Sequence, residues 1–329
     1  MKIPKVSKRR NFELYSISQC ALYKLTSPAK LGVALIIKDA ALKSILESEE
    51  NYRQFTLLEE INPFSGKRTK ARLVQTPARN LRAIHERILK LLQRVQYPEY
   101  AHAGVKKRSY RSNAKVHESS KCIATFDLKN FYGSTTNNMV RKFFLNQLNC
   151  AGDVAGILTA ITTFNGCLPT GSPLSPLLAL YTAKPMFDAL ESLAEKHGLK
   201  FTCYVDDLTF SGDNLPASLS REVKSIVVKH NYNLSEPKTR IYRENQAKHV
   251  TGTVIINNKI RVPHVRFLTA RNIQSAIDGV YDNYGFSNIK LTEKLAGLMN
   301  EASYLDHKFH EKALMAHAKL RSERAKLTV

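Results

Sequence analysis

The chain has 329 residues, of which 43% are hydrophobic, enough for one large or two to three small packed units. It carries 50 Lys and Arg against 28 Asp and Glu, a net charge of +22, so a polyanion is the expected partner. This composition excludes disordered and fibrous proteins, and no apolar run reaches the roughly 18 residues of a membrane helix.

The cysteines and the N-terminal residues predict a cytoplasmic location. The start, Met1–Arg10, is basic and has no apolar stretch behind it, so no signal peptide is expected. The five cysteines form no CxxC pair, which argues against disulfides and structural zinc and for a reducing compartment. They are Cys20, Cys122, Cys150, Cys167 and Cys203.

The first third of the chain concentrates the positive charge. Residues 30–60 are predicted to be helical, 67–75 to form a basic strand and 79–95 a helix with one apolar face. Between residues 67 and 115 there are 14 Lys or Arg and two acids. A solvated basic face would explain such a run, but together with the net charge it favours contact with nucleic acid through Arg79 and Arg82.

The middle of the chain alternates strands and helices. Residues 122–126 are predicted to form a short strand that ends in Asp127, followed by helices at 137–148 and 153–164. A Pro/Gly loop follows at 168–173, with Ser172 as the N-cap of the next helix. That helix is predicted to continue to Lys196 with a kink at Pro185.

The last third begins with a hairpin at 201–211 around two adjacent aspartates. A helix at 221–230 and a second hairpin at 250–262, turned at Asn257 and Asn258, follow, and the chain is predicted to be helical from residue 269 onward. Strands and helices mix without regular βαβ alternation, which predicts an α+β fold.

The aspartates of this pattern indicate a metal site. Asp206 and Asp207 place two like charges in one turn, and Asp127 ends an otherwise apolar strand. An Asp-Asp turn alone is most often a solvated turn. Two strands that end in aspartate side by side in one sheet, however, would hold two divalent ions about 3.5–4 Å apart for phosphoryl transfer.

Several motifs, in this order, resemble those of reverse transcriptases. YVDD at 204–207 resembles the YxDD box, FDLKNFY at 126–132 the first carboxylate motif, and LPTGSPLSP at 168–176 the LPQGxxxSP loop. RLVQTP at 72–77 and NLSEPKT at 233–239 resemble the strand that meets the triphosphate and the later lysine motif. NAKVH at 113–117 and VTG at 250–252 resemble the NAxxH and VTG boxes of bacterial retron reverse transcriptases. The resemblance covers about residues 67 to 306.

The resemblance implies roles for individual residues. The catalytic and metal-binding set, with the Leu128 carbonyl as a further ligand of two Mg²⁺ ions, is Asp127, Leu128, Asp206 and Asp207. The implied nucleotide-binding set, in which the tyrosine excludes a ribose 2′-OH, is Arg72, Tyr132, Thr170, Gly171 and Lys238. The predicted RNA-binding set combines Arg79 and Arg82, which the basic run indicates, with the residues that the resemblance implies, Asn113, His117, Thr251 and Gly252.

Four positions depart from the family pattern, and two of them, Lys129 and Asn130, stand where relatives often have acidic residues. Thr170 stands where the family loop usually has glutamine, which shortens or removes hydrogen bonds to the nucleotide. Val205 stands where related retron enzymes commonly have alanine, and its bulk should not remove activity. None of these departures affects the three aspartates.

The resemblance also implies an architecture and partners. It implies a right-hand polymerase with a basic N-terminal segment at 1–30, fingers and an antiparallel palm at 31–245, and a hairpin and helical thumb at 246–329. The implied partners are dNTPs, a cognate structured non-coding RNA, its RNA-linked DNA product (msDNA) and an effector protein in anti-phage defence. No membrane contact is expected. The alternatives are a group II intron-like or other bacterial reverse transcriptase and a non-catalytic RNA-binding scaffold.

Overall fold

The structure is a computed structural model that describes residues 13–326. The predicted basic segment at 1–30 and the predicted absence of a signal peptide therefore fall partly or wholly outside the described residues. Helices mix with antiparallel sheets in the described part, in agreement with the predicted α+β class. Between residues 13 and 326 no helix combines the length and the apolar character that crossing a bilayer requires.

Thirteen α-helices lie in the described part of the chain. Three 3₁₀ turns, Ile17–Gln19, Glu236–Lys238 and His307–Phe309, and one π-helical turn, Phe143–Gln147, accompany them. The helices are α1 Pro28–Leu35, α2 Asp39–Glu47, α3 Arg79–Leu92, α4 Tyr110–His117, α5 Phe131–Ser134, α6 Asn137–Lys142, α7 Gly152–Thr162, α8 Ser175–Thr182, α9 Lys184–Lys196, α10 Leu219–Lys229, α11 His264–Ile277, α12 Asn288–Leu305 and α13 His310–Lys326.

Eleven strands form four sheets in residues 13–326, with strand orders β1-β4, β2-β3, β6-β7-β5-β8 and β11-β10-β9. The neighbours of β5, β7 and β10 are all antiparallel. The strands are β1 Tyr52–Leu57, β2 Glu60–Ile61, β3 Arg68–Thr69, β4 Arg72–Pro77, β5 Cys122–Asp127, β6 Lys200–Tyr204, β7 Asp207–Gly212, β8 Arg240–Tyr242, β9 Lys248–Val250, β10 Thr253–Ile256 and β11 Lys259–Arg261.

The chain divides into two compact units, and neither is a continuous segment. Of the described residues, the first unit comprises 13–54, Gln75–Lys106 and Asn130–Pro185. The second comprises Phe55–Val74, Lys107–Lys129 and 186–326.

The first unit is largely helical, and α3 confirms its predicted pattern. The apolar residues at helical spacing are all buried, so one face of α3 packs while Arg79 and Arg82 are exposed. The buried residues are Leu81, Ile84, Ile88, Leu91 and Leu92.

A buried histidine on α3 holds the loop before α8. The Nδ1 atom of His85 lies 2.6 Å from Oγ of Ser172, and its Nε2 atom lies 2.6 Å from the carbonyl oxygen of Ile161. Ser172 Oγ also accepts from the backbone N–H of Leu174. The prediction that Ser172 caps a helix is therefore wrong, because α8 begins only at Ser175 and the hydroxyl instead organises the loop.

The second unit contains the four-stranded sheet and a helical core. Helices α11, α12 and α13 bury Ile273, Leu291, Leu295 and Leu320 together. Phe64, from the loop between β2 and β3, belongs to the same core at 1% exposure, and its carbonyl accepts from Nδ2 of Asn272 at 2.8 Å.

Some predicted elements need correction. The helical prediction for residues 30–60 is wrong after Glu47, because the chain there extends and β1 pairs with β4. The single basic strand at 67–75 is divided into β3 and β4. The helix before Lys196 breaks at Ala183, two residues before the predicted kink, and residues 278–287 interrupt the predicted C-terminal helix.

The predicted hairpins are confirmed. Residues 200–212 form β6 and β7, and Asn257 and Asn258 turn β10 into β11 with φ values of 50° and 54°. Asparagine tolerates this left-handed region better than most residues, which explains the choice of turn. Strands β8 and β9 and helices α4 and α5 were not predicted.

Candidate active site

Two aspartates lie directly opposite each other in the four-stranded sheet. Asp127 is the last residue of β5 and Asp207 the first of β7, and the antiparallel register pairs the two positions. Residues paired in this way have Cα atoms about 4.5–5.5 Å apart and project to the same face of the sheet. The sheet therefore brings together two carboxylates that are distant in sequence.

Asp206 lies in the two-residue turn between β6 and β7. Tyr204 pairs with Asp207, so Val205 and Asp206 are the central residues of the turn. Val205 has a left-handed φ of 59°, which costs a β-branched residue roughly 1–2 kcal/mol. The backbone N–H of Leu128 donates to the carbonyl oxygen of Asp206 at 2.8 Å, so the strained turn is tied to the end of β5.

Lys238 forms an ion pair with Asp127. Its Nζ atom lies 2.9 Å from Oδ1 and 2.8 Å from Oδ2 of Asp127. The backbone N–H of Ser235 also donates to the carbonyl of Asp127, which places the 3₁₀ turn Glu236–Lys238 beside the sheet. The Lys238 side chain is 63% exposed and that of Asp127 is 10% exposed, so the lysine reaches from solvent to a buried carboxylate.

The adjacent aspartates have raised pKa values. Burial raises the pKa of Asp207 to about 7, and the negative charges of Asp206 and Asp127 contribute. Burial also raises the pKa of Asp206, and the charge of Asp127 adds to the effect. The hydrogen bond to Asp127 raises the pKa of Lys238. One lysine cannot neutralise three carboxylates, so the cluster has an excess of negative charge when all three are ionised.

The cluster fits a hard divalent cation. Mg²⁺ is usually held by one or two carboxylates together with substrate phosphates. Asp127 and Asp207 line one cleft and can provide such a pair. Within residues 13–326 no three His, Cys, Asp or Glu side chains form a complete ligand cage. A bound phosphate would therefore supply part of the shell, and the ligand role of the Leu128 carbonyl stays a prediction.

The cleft beside the carboxylates has a volume of about 260 Å³. The predicted residues Thr251 and Gly252 line it together with Asp127, Asp207 and Lys238. Among the lining residues that sequence reasoning missed are Arg240 and His249. Arg240 comes two residues after Lys238, and His249 directly precedes the VTG box, so proximity to known motifs was the available signal.

Asn113 and His117 do not have the accessibility that direct RNA binding requires. Both side chains are 0% exposed. The ring nitrogens of His117 lie 2.7 Å from the hydroxyls of Ser211 and Thr202, and Asn113 Nδ2 donates to Thr251 Oγ1 at 2.6 Å. The prediction that these two side chains contact RNA is therefore corrected, because they connect α4 to the sheet and to the VTG turn.

The predicted nucleotide-binding residues are distributed over both units. Arg72 is exposed at the start of β4 in the second unit. Tyr132 is half-buried on α5 in the first unit. Thr170 and Gly171, also in the first unit, are bonded to β4, because the Gly171 N–H donates to the carbonyl of Gln75 at 2.8 Å and the Gln75 N–H donates to Thr170 Oγ1 at 3.2 Å.

Comparison with known proteins identifies the family. The family model for reverse transcriptase (RNA-dependent DNA polymerase) matches residues 64–270, more than half of the chain. The chain therefore belongs to the reverse transcriptase family and is an RNA-directed DNA polymerase.

Several relatives are retron enzymes, which confirms the resemblance to bacterial retron reverse transcriptases. Retron Se72 reverse transcriptase of Salmonella heidelberg is 28% identical over 297 residues, which are 85% of this chain and 74% of that protein. Retron Ec86 reverse transcriptase of Escherichia coli is 25% identical over 285 residues, 86% and 85% of the two chains. Retron Mx65 reverse transcriptase of Myxococcus xanthus is 30% identical over 207 residues, 56% and 48% of the two chains.

Replacing Lys238 with alanine is expected to tighten divalent-cation binding roughly fivefold. The lysine competes with a bound cation for both oxygens of Asp127. An ion pair as exposed as this one contributes about 1 kcal/mol after solvent screening, and a cation that displaces the lysine must offset that free energy. Titration with Mn²⁺, followed by the electron paramagnetic resonance of the free ion, measures the change. Lys224→Ala is the matched control, since Lys224 pairs with Glu236 instead. Unchanged or weaker binding in Lys238→Ala would contradict the competition.

Proposed function

We propose that this polymerase copies a cognate structured non-coding RNA into single-stranded DNA that stays linked to the RNA, as part of a retron system. The carboxylate cluster of Asp127, Asp206 and Asp207 carries the catalytic half of the proposal, because it brings two distant motifs together at the ends of two neighbouring strands. The retron relatives and the NAxxH and VTG boxes support the choice of substrate.

The reaction needs alignment and charge compensation more than covalent chemistry from the protein. When bound, two Mg²⁺ ions would supply Lewis acidity at the attacking and leaving oxygens. Asp127 and Asp207 would hold these ions at the end of their strands, and the turn between β6 and β7 places Asp206 next to Asp207. Lys238 has a raised pKa and stays protonated, so it can pair with a phosphate oxygen when it leaves Asp127.

The remaining nucleotide contacts belong to the same proposal. Arg72 would pair with triphosphate oxygens, for which a guanidinium fork is well suited. Tyr132 would exclude a ribose 2′-OH, which selects deoxynucleotides. Thr170 lacks the carboxamide that is usual at its position, and its hydroxyl accepts a backbone hydrogen bond from Gln75, so we propose that its contribution to nucleotide binding is small.

The proposal includes the right-hand architecture. The sheet β6-β7-β5-β8, with the carboxylates, corresponds to the palm. The helices α11, α12 and α13, which share one core, correspond to the thumb, and the β2-β3 hairpin and β4 to part of the fingers. An effector protein and a role in anti-phage defence are the expected biological setting.

RNA-templated DNA synthesis tests the function directly. The purified chain is given an RNA template, an annealed primer, dNTPs and Mg²⁺, and the product is analysed for length and for resistance to ribonuclease and deoxyribonuclease. We expect the primer to be extended with dNTPs in the presence of the RNA template, and no extension in a control reaction without template. The absence of any template-dependent extension would reject the proposed activity.

Removing both Arg79 and Arg82 is expected to weaken RNA binding of any sequence about tenfold at low salt. Each neutralised phosphate releases counterions, so the slope of log K against log salt should fall by about 2. Both side chains are exposed on α3, although Arg82 also pairs with Glu86 at 3.1 Å. Lys43→Ala, on an exposed position of α2, is a single-charge control, and an unchanged salt slope in the double variant would show that α3 does not face the RNA.

A further inference from the structure

The turn between β9 and β10 has an unusual residue at a position that favours asparagine or glycine. Val250 pairs with Thr253, so Thr251 and Gly252 form a two-residue hairpin turn with φ values of 44° and 75°. Turns with two positive φ values favour Asn-Gly, and a β-branched threonine is a genuine outlier there. Such strain persists where the surrounding structure holds it, and it is a reason to look for a function.

A buried asparagine holds this threonine. Asn113 is 0% exposed on α4, a helix whose start is fixed by a capping box at Ser109. Its Nδ2 atom donates to Thr251 Oγ1 at 2.6 Å. Its Oδ1 atom is buried and has no hydrogen-bond partner among residues 13–326, so the contact with Thr251 is the bond that this side chain makes there.

The bond leaves the hydroxyl proton of Thr251 available. A hydroxyl has one proton to donate and two lone pairs, and here Asn113 uses a lone pair. Thr251 lines the cleft that also contains Asp127, Asp207, Lys238 and Arg240. The cleft, at about 260 Å³, lies below the roughly 300–1,000 Å³ of sites that enclose a whole small molecule. It suits one sugar–phosphate unit of a strand that extends beyond it.

The Arg266 side chain limits which residues fit at the second position of this turn. A Cβ atom on Gly252 would meet Nη2 of Arg266 at 3.0 Å, and that guanidinium is bonded to Glu301 at 2.6 Å. The turn is therefore held from α4 through Asn113 and lies against the Arg266 side chain, and its Thr251 also lines the cleft.

We propose that Thr251 donates a hydrogen bond to a sugar or phosphate oxygen of the nucleic-acid strand in this cleft, and that Asn113 is the positioning residue that presents the hydroxyl. The NAxxH box, through Asn113, and the VTG box, through Thr251, thus form one binding element that a single hydrogen bond connects. This inference rests on the proposed function, since it takes the occupant of the cleft to be the strand that reaches the carboxylates.

Equilibrium binding and kinetics of four variants test the device. The probe is a fluorescein-labelled RNA template annealed to a primer, with one series using an RNA primer and the other a DNA primer. Thr251→Val removes the hydroxyl but keeps the shape, and Thr251→Ser keeps the hydroxyl. Asn113→Ala removes the positioning group, and Asn113→Ala with Thr251→Val removes both. Thermal midpoints are measured for every protein.

We expect Thr251→Val and Asn113→Ala each to weaken binding or raise KM about tenfold, the value of one good hydrogen bond. The double variant should be no weaker than either single variant, and Thr251→Ser should stay within about twofold of wild type. A loss confined to the RNA primer assigns the acceptor to a 2′-OH, and an equal loss on both primers assigns it to an oxygen that the two strands share.

Wild-type binding by Thr251→Val, or losses that multiply in the double variant, would overturn the proposal. If Asn113→Ala does not fold, the double variant Asn113→Ala with Thr251→Gly replaces it, because glycine adopts the positive φ of the turn without the strain that Asn113 offsets. Binding by this double variant that is as tight as that of wild type would also overturn the proposal. DNA synthesis by wild type on the same probe is scored separately, so a failure of the polymerase function is distinguished from a failure of the Thr251 contact.

Discussion

Asp206→Asn is expected to reduce DNA synthesis about 10³-fold or more while RNA binding stays within about twofold. The amide removes a negative charge and, in the proposed mechanism, a metal ligand, and interactions of this kind contribute several kcal/mol to phosphoryl transfer. RNA binding depends instead on a surface with a net charge of +22, which the substitution hardly alters. Single-turnover primer extension and fluorescence anisotropy measure the two quantities.

Asp213→Asn is the matched control for that experiment. Asp213 follows β7 and is exposed. Asp213→Asn makes the same chemical change outside the cluster, so DNA synthesis by this variant should equal that of wild type. Asp127→Asn should behave like Asp206→Asn, although it also leaves Lys238 without its partner. Retained synthesis in Asp206→Asn combined with Asp207→Asn would refute the assignment of these carboxylates to catalysis.

The second large effect is a pH-dependent loss of stability that depends on His85. Burial lowers the pKa of His85 to about 4, against 6.5 for the free side chain. Below pH 6.5 the side chain of His85 is protonated in the unfolded chain but stays neutral in the folded chain. The contribution of His85 to the free energy of unfolding is therefore complete above pH 6.5 and is lost as the pH decreases toward 4. The expected loss at pH 4 is about 3 kcal/mol.

Burial keeps His85 neutral, although its hydrogen bond to Ile161 acts in the opposite direction and raises the pKa. Its Nε2 atom donates to the carbonyl of Ile161, so its Nδ1 atom accepts from the hydroxyl of Ser172. A second proton would face that hydroxyl, whose oxygen already accepts from Leu174. Protonation should therefore loosen the loop that contains Thr170 and Gly171 before the rest of the first unit unfolds.

Thermal or urea unfolding between pH 7 and pH 4 measures this effect as a difference between two proteins. His85→Gln should be less stable than wild type at pH 7, and the gap should close as the pH falls. His264→Gln, at an exposed position, should show a gap near zero at every pH. A gap between wild type and His85→Gln that does not change with pH would contradict the prediction.

The hairpin that contains Asp206 and Asp207 was predictable because it depends on a local pattern of two short strands joined by a turn. The position of Asp127 at the end of its strand was predictable in the same way, and the pairing of Asp127 with Asp207 in one sheet agrees with the prediction although it joins distant segments. The apolar face of α3 was also predictable from a local pattern, since its spacing is that of one helix.

Features that depend on distant parts of the chain were not predictable. Strand β1 forms because β4 lies beside it, and its own sequence was equally compatible with a helix. The burial of Asn113 and His117 follows from partners such as Thr251 and Ser211, which are far away in sequence. Two polar residues in a motif suggested a binding surface, whereas the structure uses them as internal connections. Pattern alone does not distinguish a polar side chain that meets solvent from one that meets a buried partner.

Analysis of the nucleic acid that co-purifies with the protein tests the central claim most directly. The chain is expressed together with its native genomic neighbourhood, and the bound nucleic acid is sequenced before and after ribonuclease treatment. The account predicts one abundant structured RNA and a single-stranded DNA complementary to part of it, with the DNA shortened to its own length only after RNA is digested. The same purification from the Asp206→Asn protein should yield the RNA without the DNA. Recovery of mixed cellular RNA without complementary DNA from the wild-type protein would contradict the account.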